Sequence, residues 1–241
     1  MTISKLHIAL FLFITLLLSA CSIEDRCISG SGDLKAKTVT LSEFTGVDLH
    51  LPGSVEIIKS NTFKVEIQAR ENILDLVRTD IISGKLRLDM DNRCIKGKSD
   101  LAFKVYTPEL GYLRVAGSGN IKSEMLFPIR DWTIIIDGSG DINAQVNANK
   151  SEAIISGSGS MNLQGTADEM ITRISGSGNI HAFGVTAKEL RATISGSGNI
   201  EATATETLSA TISGSGNIRY KGQPSITNVS ISGSGKLIKV N

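Results

Sequence analysis

The segment ISGSGNI occupies residues 174–180, and the same seven residues return at 194–200 and at 212–218. A binding site for one ligand needs its motif only once, whereas a motif that recurs at a nearly constant interval indicates a repeat architecture. Gly-Ser-Gly recurs at intervals of 18 to 21 residues, with its first glycine at residues 117, 138, 157, 176, 196, 214 and 233. An additional copy at residues 30–32 is out of phase with these seven.

The residues before each copy alternate between apolar and polar side chains. Leu190, Ala192 and Ile194, for example, are separated by polar residues. This period of two is typical of a strand with one buried face. Two glycines then allow a sharp bend, and the apolar residue after the asparagine begins another short strand.

One such unit buries little apolar surface, so units of this length have to stack on one another to make a core. We therefore predict an all-β solenoid of about 19–20 residues per coil, a coil being one turn of the chain around the axis. The corner glycines are expected to be structural: Gly117, Gly119, Gly138, Gly140, Gly157, Gly159, Gly176, Gly178, Gly196, Gly198, Gly214, Gly216, Gly233 and Gly235.

Stacking places equivalent residues of successive coils above one another. Ile174, Ile194, Ile212 and Ile231 are predicted to form an internal ladder. The residues after the second glycine are predicted to form a second ladder, here called the corner ladder: Asn120, Asp141, Asn179, Asn199 and Asn217.

Two other repeat folds fit the spacing less well. A leucine-rich repeat needs several leucines per unit, and these units have one or none before the glycines. A β-propeller needs units of about 40 residues, and seven copies cannot be divided into pairs.

Residues 30–110 lack the repeat but contain several alternating segments, including 47–51, 65–67 and 86–88. We interpret this half as the less regular beginning of the solenoid or as a small β domain docked on it, with residues 111–241 as the repeat region. One stretch has helical spacing, and Asn72 is predicted to cap a short helix that extends to Val77.

The first residues indicate export and a lipid anchor. The apolar run at residues 8–18 is too short to span a bilayer but has the length of a signal-peptide core. It ends in Leu18-Ser19-Ala20-Cys21, which resembles the bacterial lipobox. That resemblance implies a signal peptide at residues 1–20, diacylation of Cys21, and a lipidated linker at residues 21–29.

Cys27 and Cys94 remain after Cys21 is assigned to lipid. An exported chain permits disulfides, so a bridge between the two is one prediction, and two separate thiols are the alternative. A metal site at either cysteine is not expected, because neither has a second ligand at the usual spacing.

Several long segments resemble one family of exported bacterial proteins, the putative auto-transporter adhesin, head GIN domain family. They are EFTGVDLHLPGSVEII at 43–58, the segment at 69–90, KVYTPELGYLRVAGSGNI at 104–121, and the repeats that follow. The resemblance covers nearly all of the mature chain. It implies a right-handed parallel β-helix, a lipoprotein or exported address, mostly in the envelope of Gram-negative bacteria, no enzymatic activity and no known ligand. No cofactor is expected. The turn at Leu51-Pro52 departs from the small polar turn common in the family.

Other classes of function find little support in the sequence. The formal net charge is +1, so the chain as a whole does not attract nucleic acid. No Gly-Ser-Gly copy continues as a dinucleotide fingerprint, and only one carries the aspartate expected of a calcium-binding roll. The residues three positions after each second glycine form a mixed row that a solvated face explains without catalysis: Lys122, Asn143, Asn162, His181, Glu201, Arg219 and Ile238.

The sequence therefore predicts a non-enzymatic cell-envelope lipoprotein used for surface interaction, adhesion or spacing. A glycan-binding or polysaccharide-cleaving protein on the same scaffold is the alternative. Expected partners are the membrane, through Cys21, and a surface glycan or protein. Self-association through the ends of the solenoid is a further expectation. The only tryptophan, Trp132, is expected in the core rather than in a glycan site.

Overall fold

The computed structural model describes residues 27–91, 94–96, 100–127 and 129–241, so the signal-peptide and Cys21 predictions lie outside the described residues. Those residues form β strands and one short helix. The strands are β1 Cys27–Ser29, β2 Leu34–Thr40, β3 Gly46–Leu49, β4 Ser54–Lys59, β5 Lys64–Arg70, β6 Val77–Ile82, β7 Lys85–Met90, β8 Cys94–Lys96, β9 Ala102–Thr107, β10 Tyr112–Gly117, β11 Asn120–Ser123, β12 Ile129–Gly138, β13 Asp141–Gly157, β14 Ser160–Gly176, β15 Asn179–Gly196, β16 Asn199–Gly214, β17 Asn217–Lys221, β18 Ser225–Gly233 and β19 Lys236–Lys239. The helix α1 is Glu71–Leu74.

From β10 onward the chain winds as a solenoid of stacked parallel strands, which confirms the predicted fold. Each coil pairs with the next in the register set by the repeat, so that the first glycine of each corner stands over the first glycine of the next. Apolar residues that alternate along the strands from β10 to β17 face the axis and are buried, whereas those of β18 are exposed. The predicted ladder forms, with Ile174 paired to Ile194, Ile194 to Ile212, and Ile212 to Ile231.

The N-terminal half continues the same stack of parallel strands. Its coils, however, do not follow chain order. β3 lies between β7 and β10, and β4 lies between β9 and β11, all in parallel pairs. The chain therefore builds its second coil first, turns back to add the outermost coil, and then continues with the third coil at β10.

Antiparallel strands cover the outermost coil at this end. β5 pairs with β9 and with β2, and β6 pairs with β7. The strand β2 lies at the outer edge and is mostly exposed. This end of the solenoid is therefore closed by a cap that does not follow the coil pattern.

The predicted helix is shorter than expected, and its cap is wrong. α1 ends at Leu74, and its N-cap is Arg70, which has no side-chain cap hydrogen bond. Asn72 instead accepts a hydrogen bond from the Ser31 N–H (2.7 Å) and donates one to the Ser29 carbonyl (2.9 Å). Because its side chain ties down the loop before β2, which contains the out-of-phase Gly-Ser-Gly, it is not available to cap the helix.

Within the part of the chain that the structure describes, no helix combines the length and the apolar character that crossing a bilayer requires.

Candidate functional site

The Gly-Ser-Gly corners are closed by backbone contacts between coils. Gly196 has a φ of +135°, in the region that side chains rarely adopt. The N–H groups of Ser197 and Gly198 both donate to the Gly176 carbonyl, at 2.9 and 3.2 Å. The second glycine is needed for a different reason, since a Cβ at Gly178 would lie 2.6 Å from the Gly159 carbonyl oxygen. Both glycines are thus required by the close approach of one coil to the next.

The side chains of the corner ladder form hydrogen bonds with the corner residues of adjacent coils. Asn199 donates its backbone N–H and its side-chain amide to the Asn179 Oδ1, at 3.2 and 3.1 Å. In earlier coils the Asp141 N–H donates to the Asn120 Oδ1 and the Ser160 N–H donates to the Asp141 Oδ1, both at 3.1 Å. The third corner carries Ser160 in place of an asparagine or aspartate. Since these side chains satisfy the next coil, they offer little to a ligand.

The mixed row that follows the corners stacks in the predicted register, from Lys122 through to Ile238. His181 Nδ1 lies 2.9 Å from Glu201 Oε2, and Arg219 donates to the other oxygen of Glu201 at 3.4 Å. The side chains of His181 and Arg219 are about half exposed, at 47% and 50%. Neighbouring coils pair these charges with one another on an open face, so the row has the character of a solvated surface.

A groove on another side of the solenoid is the best candidate for a binding site. It crosses the coils from β12 to β16 and has a volume of about 680 Å³, which is within the usual range of ligand sites. Buried or half-buried alanines form its floor, and exposed polar residues project on either side of them. The lining residues are Ile129, Arg130, Asn147, Ala148, Asn149, Thr166, Ala167, Asp168, Thr186, Lys188, Thr205 and Glu206.

The charged side of the groove is organised around Asp168. Lys188 Nζ lies 2.7 Å from Asp168 Oδ1, and the Asn149 amide donates to Oδ2 at 3.1 Å. The hydrogen bond from Lys188, with its positive charge, lowers the pKa of Asp168. The same hydrogen bond raises the pKa of Lys188, and the negative charge of Glu206 adds to this effect.

The lining of the groove has the polar groups of a recognition site. The lining has hydrogen-bond donors, acceptors and both signs of charge, but it has no aromatic ring on which a sugar could stack. Among the described residues, no group of three or more His, Cys, Asp or Glu side chains is placed to hold a metal ion.

The remaining candidates lie away from the groove. Cys27 and Cys94 are joined by a disulfide between β1 and β8, 67 residues apart in sequence. Trp132 is buried in the core, 1% exposed. Tyr112 lies under the ammonium group of Lys85, 3.6 Å from its ring centre, and burial raises its pKa.

The groove is not apparent from the glycine repeat, but the sequence does contain a signal for it. Three successive units carry a polar-alanine-polar triplet, at residues 147–149, 166–168 and 186–188. These triplets recur with the period of the glycines, and Ala148 pairs with Ala167 and Ala167 with Ala187. Ala148 and Ala167 lie at the floor of the groove, and the side chains that flank them form its walls.

Comparison with known proteins places these features in context. A sequence model of the putative auto-transporter adhesin, head GIN domain family matches residues 43–224. A putative adhesin from Bacteroides fragilis is 26% identical, with a TM-score of 0.84 over 88% of this chain and 100% of its own. A putative adhesin from Parabacteroides merdae is also 26% identical, with a TM-score of 0.66 over 90% of this chain and 100% of its own.

A third solved structure carries a different description. It is a putative lipid binding protein from Parabacteroides distasonis, 26% identical, with a TM-score of 0.72 over 89% of this chain and 99% of its own. No curated protein matches the chain.

Proposed function

Because this chain belongs to the putative auto-transporter adhesin, head GIN domain family, we propose that it is a non-enzymatic binding protein of the cell envelope that holds a partner in the groove across β12–β16. The family is adhesin-like, which indicates a surface or envelope protein. The groove is the observation that supports binding over a purely structural spacer, because a spacer has no use for a concave polar surface.

The chemistry of the groove favours an extended polypeptide as its ligand. Threonine and asparagine side chains line one wall, and the other wall alternates in charge from Arg130 through Asp168 to Lys188. A peptide presents amide donors, carbonyl acceptors and side chains of both signs, which such walls can pair. Glycan binding, the alternative, usually relies on aromatic stacking, and the described lining has no aromatic residue.

The proposal includes the envelope address. The motivation is the Leu18-Ser19-Ala20-Cys21 segment after a short apolar run, which is similar to a lipobox. Each buried methylene of an acyl chain contributes about 0.8 kcal/mol to membrane binding, so several chains at Cys21 anchor a protein firmly. We place the anchored protein in the outer membrane of a Gram-negative bacterium.

Binding by the purified mature chain, residues 21–241 in detergent, tests the proposal. Arrays of matrix proteins and of glycans are probed with the unchanged chain and with a Thr186→Arg variant, which fills the middle of the groove with a bulky charged side chain. Thr193→Arg is the matched control, because Thr193 lies on the same strand β15 but does not line the groove.

We expect the unchanged chain and Thr193→Arg to bind protein ligands, and Thr186→Arg to lose most of this binding. Equal binding by both variants would show that the groove is not the site. Capture of glycans alone would favour the carbohydrate alternative, and absence of any ligand would favour a spacer.

A further inference from the structure

The last coil of the solenoid exposes side chains that every earlier coil buries. All nine residues of β18 are exposed. Three apolar residues of β18 are 43–49% exposed. Each pairs with an inward-facing residue of β16 that is at most 1% exposed. The exposed residues are Ile226, Val229 and Ile231, and their partners are Leu208, Ala210 and Ile212.

The outer edge of β18 also lacks the usual protection against pairing. Proteins guard edge strands with charged side chains, above all lysine. The strand β2, at the edge of the opposite end, carries exposed Lys35 and Lys37, and the neighbouring β19 carries Lys236 and Lys239. Residues 222–235, by contrast, contain no charged side chain. Within the described chain β18 pairs with β16 on one side and has no strand on the other.

We propose that β18 pairs antiparallel with β18 of a second copy of this chain, about a two-fold axis at Ser230. This register places Val229 of each copy opposite Ile231 of the other, on the face that continues the solenoid core. Cross-strand pairs of β-branched residues stabilise antiparallel sheets. The outward Ser230 then stands directly opposite its own copy, and no like charges face each other along the strand.

One end of the solenoid is capped and the end at β18 is open, and this difference favours a two-fold dimer over a head-to-tail filament. A head-to-tail contact would join β18 to the opposite end, which would build filaments. That end is closed by the antiparallel strands β2, β5 and β6, and its edge carries lysines. A two-fold contact between identical strands uses only the open end, so assembly stops at a dimer. This inference does not depend on the proposed groove, which lies on the side of the coils.

Disulfide trapping in the mature lipoprotein, purified in detergent under oxidising conditions, tests the register. Directly opposed residues of an antiparallel pair have Cα atoms about 4.5–5.5 Å apart, within the range that a disulfide spans. Ser230→Cys should therefore form a covalent dimer. Thr211→Cys is the matched control, because Thr211 pairs with Ser230 one strand further in. The Thr211 residues of the two copies are farther apart than the two Ser230 residues by two strand spacings of about 4.8 Å each. A disulfide between them should therefore not form.

A second variant tests the interface without a cross-link. Ile231→Lys places a charge at an exposed edge position and should convert the dimer to a monomer, halving the mass of the protein component in analytical ultracentrifugation. Ile238→Lys, an equivalent change on β19, should leave the dimer intact. Melting curves show that each variant is folded. An unchanged chain that is monomeric at tens of micromolar would overturn the proposal. So would a dimer that survives Ile231→Lys while Ser230→Cys remains uncross-linked.

Discussion

Asn217 donates two hydrogen bonds to a single oxygen of Asn199, one from its backbone N–H at 3.2 Å and one from its side-chain amide at 3.3 Å. Asn199 makes the same pair of bonds to Asn179. The Asn199 side chain therefore satisfies the backbone of the coil above it, and its loss removes the acceptor of the half-buried Asn217 N–H.

This relationship predicts that Asn199→Ala destabilises the protein by about 1–3 kcal/mol, because an unsatisfied buried donor incurs its desolvation penalty. Urea unfolding measures the change. Asn162→Ala is the control, since the Asn162 amide bonds only to the exposed Asn143 side chain and should change stability by less than about 0.5 kcal/mol. Equal losses in the two variants would mean that the corner ladder has no special role.

The disulfide between Cys27 and Cys94 predicts a dependence of stability on redox conditions. Closing a loop of this length stabilises a protein by about 4 kcal/mol in the chain-entropy model. Added reductant should lower the melting temperature of the unchanged chain. Reductant should not change the melting temperature of the Cys27→Ser/Cys94→Ser double variant, which should be low both with and without reductant. Two free thiols in peptides from the unreduced protein would contradict the bridge.

The Asp168–Lys188 pair predicts a pKa change that NMR titration can follow. Lys188→Gln removes the hydrogen bond and charge that lower the pKa of Asp168, so this pKa should rise towards the ordinary aspartate value. Lys150→Gln, a nearby cation with no bond to Asp168 among the described contacts, should leave it unchanged. A lowered folded-state pKa means that the pair stabilises the fold above the ordinary pKa. That contribution is lost as pH falls through the lowered value. An Asp168 pKa unaffected by Lys188→Gln would refute the pairing in solution.

The proposed anchor predicts that Cys21→Ser abolishes lipidation. Cells grown with labelled palmitate should incorporate label into the unchanged protein and not into the variant. A Cys27→Ser variant, which alters a nearby cysteine outside the lipobox-like segment, should be labelled normally. Label in Cys21→Ser would show that the lipobox interpretation is wrong.

The repeat made the solenoid predictable because each copy contributes one residue to each ladder. The spacing of the glycines alone sets the register, and the pairing of Ile174, Ile194 and Ile212 follows from it. The stacking of Lys122 through Ile238 was predictable for the same reason.

Features outside the repeat could not be predicted, because they depend on contacts between residues that are distant in the sequence. The insertion of β3 between β7 and β10 is decided by which strand faces bury each other, and no local pattern distinguishes it from chain order. Asn72 had the spacing of a helix cap, but a distant loop competes for its side chain. The floor of the groove is formed by Ala148 and Ala167, and their role becomes visible only when the coils are stacked.

The central claim is that the repeated Gly-Ser-Gly motif forms the corners of the solenoid and does not bind a ligand. Thermal melting of variants at equivalent glycines tests this claim most directly. Gly176→Val, Gly196→Val and Gly214→Val each force a branched side chain into positive φ and against the carbonyl of the preceding corner. Backbone strain alone costs about 1–3 kcal/mol, so all three should melt at clearly lower temperatures. Ser197→Ala, at an exposed position, should melt within a degree or two of the unchanged protein. Unchanged melting in all three glycine variants would contradict the account.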